Sequence, residues 1–337
     1  MSSFSVKLPP SVVDRLGAYL ASEFYRSLPA MSEHWTYHAT QNQATFKIKK
    51  PDLVEITQRK SGLDTDFKNT LARTKTRANE SIILQIKRLF LNHVMGIYIG
   101  IGFNAVHHFN VTWPNGKGKL NSQNLKVDLA LPLANPSAMK AAHIFNEFWP
   151  FIEPRETKRG AILEIGPGSG HFQYIFRTYF PTYTSILVDL PTSIPFSFIN
   201  LMRRFPEQSF LLPNELPEAM HSDAADCIWI TPTQTDQIPH HSIDIVIQTM
   251  GFQEMCRSDI ETYFELVRSK VTLDNIFYCL NAVEKPMWCG GELELIRFHE
   301  YPWRSSDCHL LFGLSNVEEG RTYRPFFRSI TKLDIVS

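Results

Sequence analysis

The residues best placed to do chemistry lie in one stretch, Ala161-Ile162-Leu163-Glu164-Ile165-Gly166-Pro167-Gly168-Ser169-Gly170. An apolar run of this kind reads as a buried parallel strand. The glycines that follow let the backbone turn tightly and leave its peptide groups open to a ligand. Two carboxylates flank the turn. Glu164 stands two positions before the first glycine, and Asp189 ends the next apolar run, Ser185-Ile186-Leu187-Val188. A carboxylate at the end of a second strand can accept both hydroxyl protons of a ribose diol. The chemistry implied is the holding of a nucleoside-type cofactor. A dinucleotide fingerprint wants its third glycine where this chain has His171, and a pyrophosphate gains nothing from an acid beside the turn.

The order E-x-G-x-G-x-G resembles the first motif of class I S-adenosylmethionine methyltransferases, whose loop wraps the methionine part of the cofactor. Further segments are similar to a family of sugar O-methyltransferases. They are Val188-Asp189-Leu190-Pro191, Ile230-Thr231-Pro232-Thr233-Gln234 with Ile238-Pro239, and Ile243 to Thr249 followed by Phe252-Gln253-Glu254-Met255. Tyr263-Phe264, Phe277-Tyr278 with Asn281, and Tyr301-Pro302-Trp303 extend the match, which runs from about 161 to 305. Pro167 and Gln248 depart from the family pattern, standing where it often has glycine and asparagine.

The resemblance implies S-adenosyl-L-methionine as cofactor and roles for named residues. Glu164, Gly166, Pro167, Gly168 and Gly170 take the methionine end. Asp189 takes the ribose hydroxyls and Leu190 flanks the adenine. Thr233 or Gln234 faces the adenine edge, and Thr249, where the fourth strand runs out, is a further cofactor-binding candidate. Glu254 is the candidate base, or an anchor for sugar hydroxyls, with Gln253 beside it; its rival reading is a salt bridge or a helix cap. His107 and His108 could reach over the site from the N-terminal region, His108 as a second candidate base. Tyr301, Trp303 and Arg304 are candidates to bind a sugar ring, against the alternative of a packed corner. No cluster of Asp or His calls for a metal.

Elements that position these residues follow from periodicity. His171 to Tyr179 has helical spacing, as do Ser11 to Tyr25, Ser81 to Tyr98, Pro136 to Phe148, Thr192 to Phe205 and Asp259 to Ser269. Cys227 to Ile230, Ser242 to Ile247 and Asn275 to Leu280 continue the strands, with Leu293 to Phe298 and His309 to Leu314 as a terminal pair. Alternating strands and helices predict an α/β doubly wound, mostly parallel Rossmann-like sheet of the class I methyltransferase type, closed by an antiparallel last strand. The expected division is a mainly helical lid or oligomerisation region at 1–150 and a cofactor-binding domain at 151–337. Pro51 to Asn79 is polar and basic and reads as solvated surface, or as a basic rim for an anionic acceptor.

Composition narrows the classes. The 337 residues carry 34 Lys+Arg against 34 Asp+Glu, so no overall field draws the chain to nucleic acid or membrane. The five cysteines form no C-x-x-C pair, and their number is odd. The expectation is a reduced cytoplasmic protein with idle thiols and without a disulfide or zinc framework. The apolar run Leu89 to Phe109 is broken by Asn92, His93 and three glycines, which reads as a buried helix rather than a membrane span. The expected partner is a sugar-containing small-molecule acceptor, with a homodimer allowed. Alternatives left open are an amine, carboxylate or phosphorus-oxyacid acceptor, a nicotinamide dehydrogenase, and a cofactor-binding regulator without turnover.

Overall fold

The computed structural model describes residues 2–26, 45–58, 140–152 except 142, 143 and 146, 160–315 except 219, 222 and 223, and 325–335. The chain divides into two compact units. One comprises Met1–Ser61, Arg159–Gly170 and Pro181–Ser337, and the other Gly62–Lys158 with His171–Phe180.

The first unit is built on an eight-stranded sheet. Its central strands are β4 (Ala161–Ile165), β5 (Thr184–Val188), β7 (Cys227–Ile230), β8 (Ile243–Thr249) and β9 (Val271–Ala282). The short β6 (Phe210–Leu211) extends one edge, and β12 (Cys308–Ser315) and β13 (Phe326–Lys332) the other. The order across the sheet is β12-β13-β9-β8-β4-β5-β7-β6. Strands from β9 to β6 pair in parallel, whereas β13 is antiparallel to both β9 and β12. An antiparallel last strand inserted beside the fifth core strand is the arrangement expected of the class I methyltransferase fold.

Burial on both faces explains why these strands read as continuous apolar runs. Leu163, Ile186, Ile228, Val246 and Phe277 share one face with Ile260, Phe264 and Val267 of a helix at Arg257–Lys270. Trp229 belongs to the opposite face. Its indole N–H donates to Ser197 Oγ at 2.8 Å, and its ring meets Phe198, both on a helix at Ile194–Arg204. Register places Glu164 level with Leu187, which is itself level with Trp229, so Glu164 is on this second face.

Two departures from the sequence reading concern the C-terminal end. Leu293 to Phe298 is not half of the terminal pair. It lies largely in β11 (Glu292–Arg297), which among the described residues pairs with β10 (Glu284–Cys289) alone, in a separate hairpin. The partner of β12 is β13, whose Ser329 and Thr331 are polar yet fully buried, so it offers no alternating pattern to read. Asn275 holds the end of this strand in place. It accepts from Leu333 N at 2.9 Å and donates to Leu333 O at 3.0 Å.

The N-terminal residues also differ. The expected opening helix is present as α1 (Pro10–Ala21) and a short α2 (Glu23–Arg26). Around it, β1 (Ser2–Lys7), β2 (Thr45–Lys50) and β3 (Leu53–Gln58) form an antiparallel sheet in the order β1-β3-β2. The stretch read as solvated from Pro51 therefore opens with a strand whose Val54 and Ile56 are fully buried. Ser81 to Tyr98 and the turn-rich Thr112 to Asn121 lie outside the described residues.

In the second unit, the helix α3 (His171–Tyr179) packs aromatic rings against residues 145 and 148. Phe145 stacks on Tyr179 at 5.4 Å and Phe148 meets Phe172 at 6.3 Å. We number the helices at Ile194–Arg204 and Arg257–Lys270 α4 and α5. Among the described residues no helix is long and apolar enough to cross a membrane.

Candidate functional site

Gly166, Gly168 and Gly170 all take left-handed φ values, 75°, 56° and 75°, which L side chains rarely adopt. Gly170 has a further local reason. A Cβ on Gly170 would sit 3.2 Å from the Ser197 Cβ, so its absence lets α4 approach. Among the described residues, a Cβ on Gly166 would meet nothing within 4 Å. Gly166 N donates to Val188 O at 2.8 Å and Gly170 N to Pro167 O at 2.9 Å, closing the turn on itself and on β5. Asn200 of α4 donates to Ser169 O at 2.7 Å. Sequence reasoning passed over Asn200 because nothing local marks a helical asparagine as the clamp of a distant loop.

Asp189 and this turn form one assembly. Gly168 N donates to Asp189 Oδ2 at 3.1 Å, and Leu190 N donates to Oδ1 at 2.7 Å. Each oxygen keeps a second lone pair for an incoming hydroxyl. Burial pushes this carboxyl up to about 7, against the pull of the two backbone N–H groups. Glu164, 2% exposed, lies one residue before the end of β4, and Asp189 lies one residue past the end of β5. Both expected carboxylates are thus at the carboxyl ends of adjacent strands, where α/β sheets place their ligands.

The third strand's exit is a different matter. Thr231 N and Thr231 Oγ1 both donate to Gln234 Oε1 at 3.0 Å, and Gln234 Nε2 donates to Pro213 O at 3.0 Å. The Gln234 carbonyl caps the turn at Pro232–Gln237, and its amide nitrogen is committed to the separate turn at Pro213–Glu215. Thr233 is exposed beside it, its hydroxyl 2.9 Å from that of Thr231. Leu190 and Thr249 are half-buried at the ends of their strands.

Beyond β8 the backbone carries strain. Met250 has φ 61°, an uncommon state for a residue with a side chain and one that concentrates at functional sites. The segment it starts is held from several sides. Gln253 N donates to Asn281 Oδ1 at 3.0 Å, and Ala282 N donates to Gln253 Oε1 at 2.7 Å. The Gln253 side chain is therefore engaged with the end of β9. Glu254 is half-buried, with Oε1 3.5 Å from Lys285 Nζ. Lys285, at the start of β10, has no sequence signal that would bring it to Glu254.

Of the aromatic residues proposed for a sugar, Tyr301 is in the core and Trp303 is half-buried against it. Tyr301 is 6% exposed and packs on Phe252, Phe264 and Phe298. Trp303 donates to Phe298 O at 3.1 Å and meets Phe264 edge-on at 4.9 Å. Arg304 is exposed, and its N–H donates to Asp307, which pairs with Arg268 near the end of α5. That end of α5 leads into the start of β9, so Arg304 sits at the amino edge of the sheet, away from the glycine turn. The packed-corner alternative describes Tyr301 and Trp303. His107 and His108 lie outside the described residues.

The cysteine expectation is overturned. Cys256 and Cys289 form a disulfide, with Cα atoms 5.8 Å apart. They are 33 residues apart in sequence, and only the folding of β10 beside the start of α5 brings them together. Cys227 and Cys279 are buried outside this disulfide, and Cys308 is exposed. Among the described residues no group of three or more His, Cys, Asp or Glu could hold a metal ion.

The strand order, mostly parallel with β13 antiparallel, defines a Rossmann-like α/β fold. No family model matches the chain, and no curated protein matches it. Among solved structures it is similar to a SAM-dependent methyltransferase from Leishmania major, with 10% identity over 62% of this chain and 76% of that one, TM-score 0.39. A SAM-dependent methyltransferase from Aquifex aeolicus gives 11% identity over 64% of this chain and all of that one, TM-score 0.40. An arsenic(III) S-adenosylmethionine methyltransferase from Chlamydomonas reinhardtii gives 9% over 55% and 67%, TM-score 0.35. Similarity this distant carries no functional argument, and the strand order and turn geometry are the chain's own.

Proposed function

We propose that this chain is an S-adenosylmethionine-dependent methyltransferase acting on a hydroxyl of a sugar or sugar-derived metabolite. One observation carries the cofactor: Asp189 accepts the Gly168 N–H, so the ribose-type carboxylate and the glycine turn are a single site. The residues fit such a group. Among the described residues nothing lies within 4 Å of a Cβ built on Gly166, and Asp189 is half-buried with acceptor capacity to spare. When bound, the cofactor supplies a methyl group on a positive sulfur that is a good leaving group.

The protein's part is then mainly positioning, which can supply on the order of 7–11 kcal/mol when reacting atoms are held in line. Asp189 holds the ribose hydroxyls, the Gly166–Gly170 turn holds the methionine end, and Glu164 answers its ammonium group. The acceptor belongs over the strained end of β8. There the Glu254 carboxylate takes the proton of the attacking hydroxyl, and Lys285 holds it in place. The sugar rests on the family resemblance of the 161–305 segments, and other small acceptors remain as outcomes of the test.

Calorimetric titration with S-adenosylhomocysteine, and separately with NAD, tests the cofactor. Binding of the first alone is expected, and binding of NAD alone would identify a dehydrogenase. A panel of sugars and glycosides, assayed for S-adenosylhomocysteine release, tests the acceptor. Glu254→Gln is expected to spare cofactor binding and to slow turnover by a factor on the order of 100 or more. Unchanged turnover would remove Glu254 from the mechanism.

A further inference from the structure

Where β9 leaves the sheet at Ala282, the chain folds straight back as the β10–β11 hairpin. The hairpin has two unlike faces. Met287 and Cys289, 3% and 9% exposed, point inward with Lys285, whereas Trp288 on the other face is 58% exposed. The hairpin and the turn that follows it are tied to the segment after β8 at three points. Lys285 pairs with Glu254, Cys289 is bonded to Cys256, and Arg257 Nη2 meets Glu300 Oε2 at 2.8 Å, just beyond β11. Both ionic ties are partly exposed to solvent, where such pairs contribute little. The covalent tie is the strong one, and Cys256 stands two residues from Glu254 and at the N-cap of α5.

We propose that Cys256–Cys289 is a redox-responsive latch on the acceptor side of the site. Closed, it holds the hairpin against the Glu254 segment. Opened, it lets both move while the glycine turn, Asp189 and α4 stay as they are. Its consequence for turnover rests on the reading of Glu254 given above; the latch itself does not. The step balances through a dithiol reductant. Cys256 and Cys289 are 8% and 9% exposed, so the attack follows a local opening of the hairpin. One thiolate of the reductant attacks one sulfur, and its second thiol resolves the mixed disulfide. Two electrons and two protons pass from the reductant to Cys256 and Cys289, which become thiols while the reductant becomes a disulfide.

The test uses the full chain purified without reductant. Alkylation under denaturing conditions, read by peptide mass, is expected to find Cys256 and Cys289 blocked until dithiothreitol is added. Hydrogen exchange is then compared before and after reduction. Peptides covering 250–257 and 284–297 are expected to exchange on the order of tenfold faster when reduced, and to recover with oxidised glutathione. Peptides from β4, β5 and α4, and the affinity for S-adenosylhomocysteine, should hold within roughly twofold. The Cys256→Ala/Cys289→Ala double variant should show the faster exchange without reductant and no response to it. Free thiols at both positions before reduction, unchanged exchange, or a loss of protection across the whole sheet would each overturn the latch. A chain that shows the latch but binds no S-adenosylhomocysteine would instead overturn the proposed function.

Discussion

Asp189 is a carboxyl whose surroundings prescribe a pH signature. Burial raises it to about 7, and its two backbone donors favour the ionised form without offsetting that cost. In the proposed complex a ribose diol donates to the carboxylate, so ligand binding favours loss of the proton. Affinity for S-adenosylhomocysteine should therefore climb as pH rises from 6 to 8 and level off above, with protons released on binding at the lower end. Calorimetry in buffers of different ionisation enthalpy measures that release. Asp189→Ala should weaken binding by roughly 1–3 kcal/mol and abolish the pH dependence. Both carboxylates of this site were legible in the sequence because strand ends and glycine turns are local features. Gln234 shows the limit: its place after the third strand was right, yet its amide is engaged by Thr231 and Pro213, a competition that no single segment displays.

Elements were legible where an apolar run or helical spacing was self-contained, as in β4, β5, β7 and α3. They were not where burial came from neighbours on both sides. The clearest case is β13, which stays in the sheet through its pairing with β9 and β12 and not through its own pattern. The corner that fixes this edge has a buried charge at its centre. Arg268 donates to both carboxylate oxygens of Asp307, at 2.7 and 2.6 Å, and their side chains are 5% and 0% exposed. Burial alone would raise Asp307. The Arg268 guanidinium and the N–H groups of Arg304 and Asp334 outweigh it and hold the carboxyl below its ordinary value. A depressed carboxyl adds stability that is present above its unfolded value and lost as pH falls through its folded one. Arg268→Met should cost roughly 3–5 kcal/mol at neutral pH, read from urea unfolding, and should flatten the loss of stability on acidification.

At the scale of the whole first unit, the N-terminal segment is fastened to the cofactor half. Arg15 of α1 forks onto Glu215, with Nε–Oε1 at 2.7 Å and Nη2–Oε2 at 2.6 Å, and lies over the Phe198 ring. Tyr19, fully buried, donates to Pro191 O at 3.0 Å, two residues beyond Asp189. Tyr19→Phe leaves that carbonyl without its donor and should cost roughly 1–3 kcal/mol. Hydrogen exchange is expected to quicken first across α1 and the Asp189–Pro191 turn, with β8 and β9 unaffected. The described residues 2–26 and 45–58 thus form a small sheet and two helices, tied at Tyr19 to the turn that follows Asp189.

What the amino-acid sequence determined by itself is the set of short-range features. These are the strand–glycine turn–helix, the acids on either side of it, and the alternation that makes a parallel sheet, each set by steric rules acting over a few residues. Tertiary structure alone decided which distant groups meet: Arg15 with Glu215, 200 residues apart, Cys256 with Cys289, and Lys285 with Glu254. The physical reason is that such pairs have no energy of their own until burial and strand register fix both partners, and register is a property of the whole sheet.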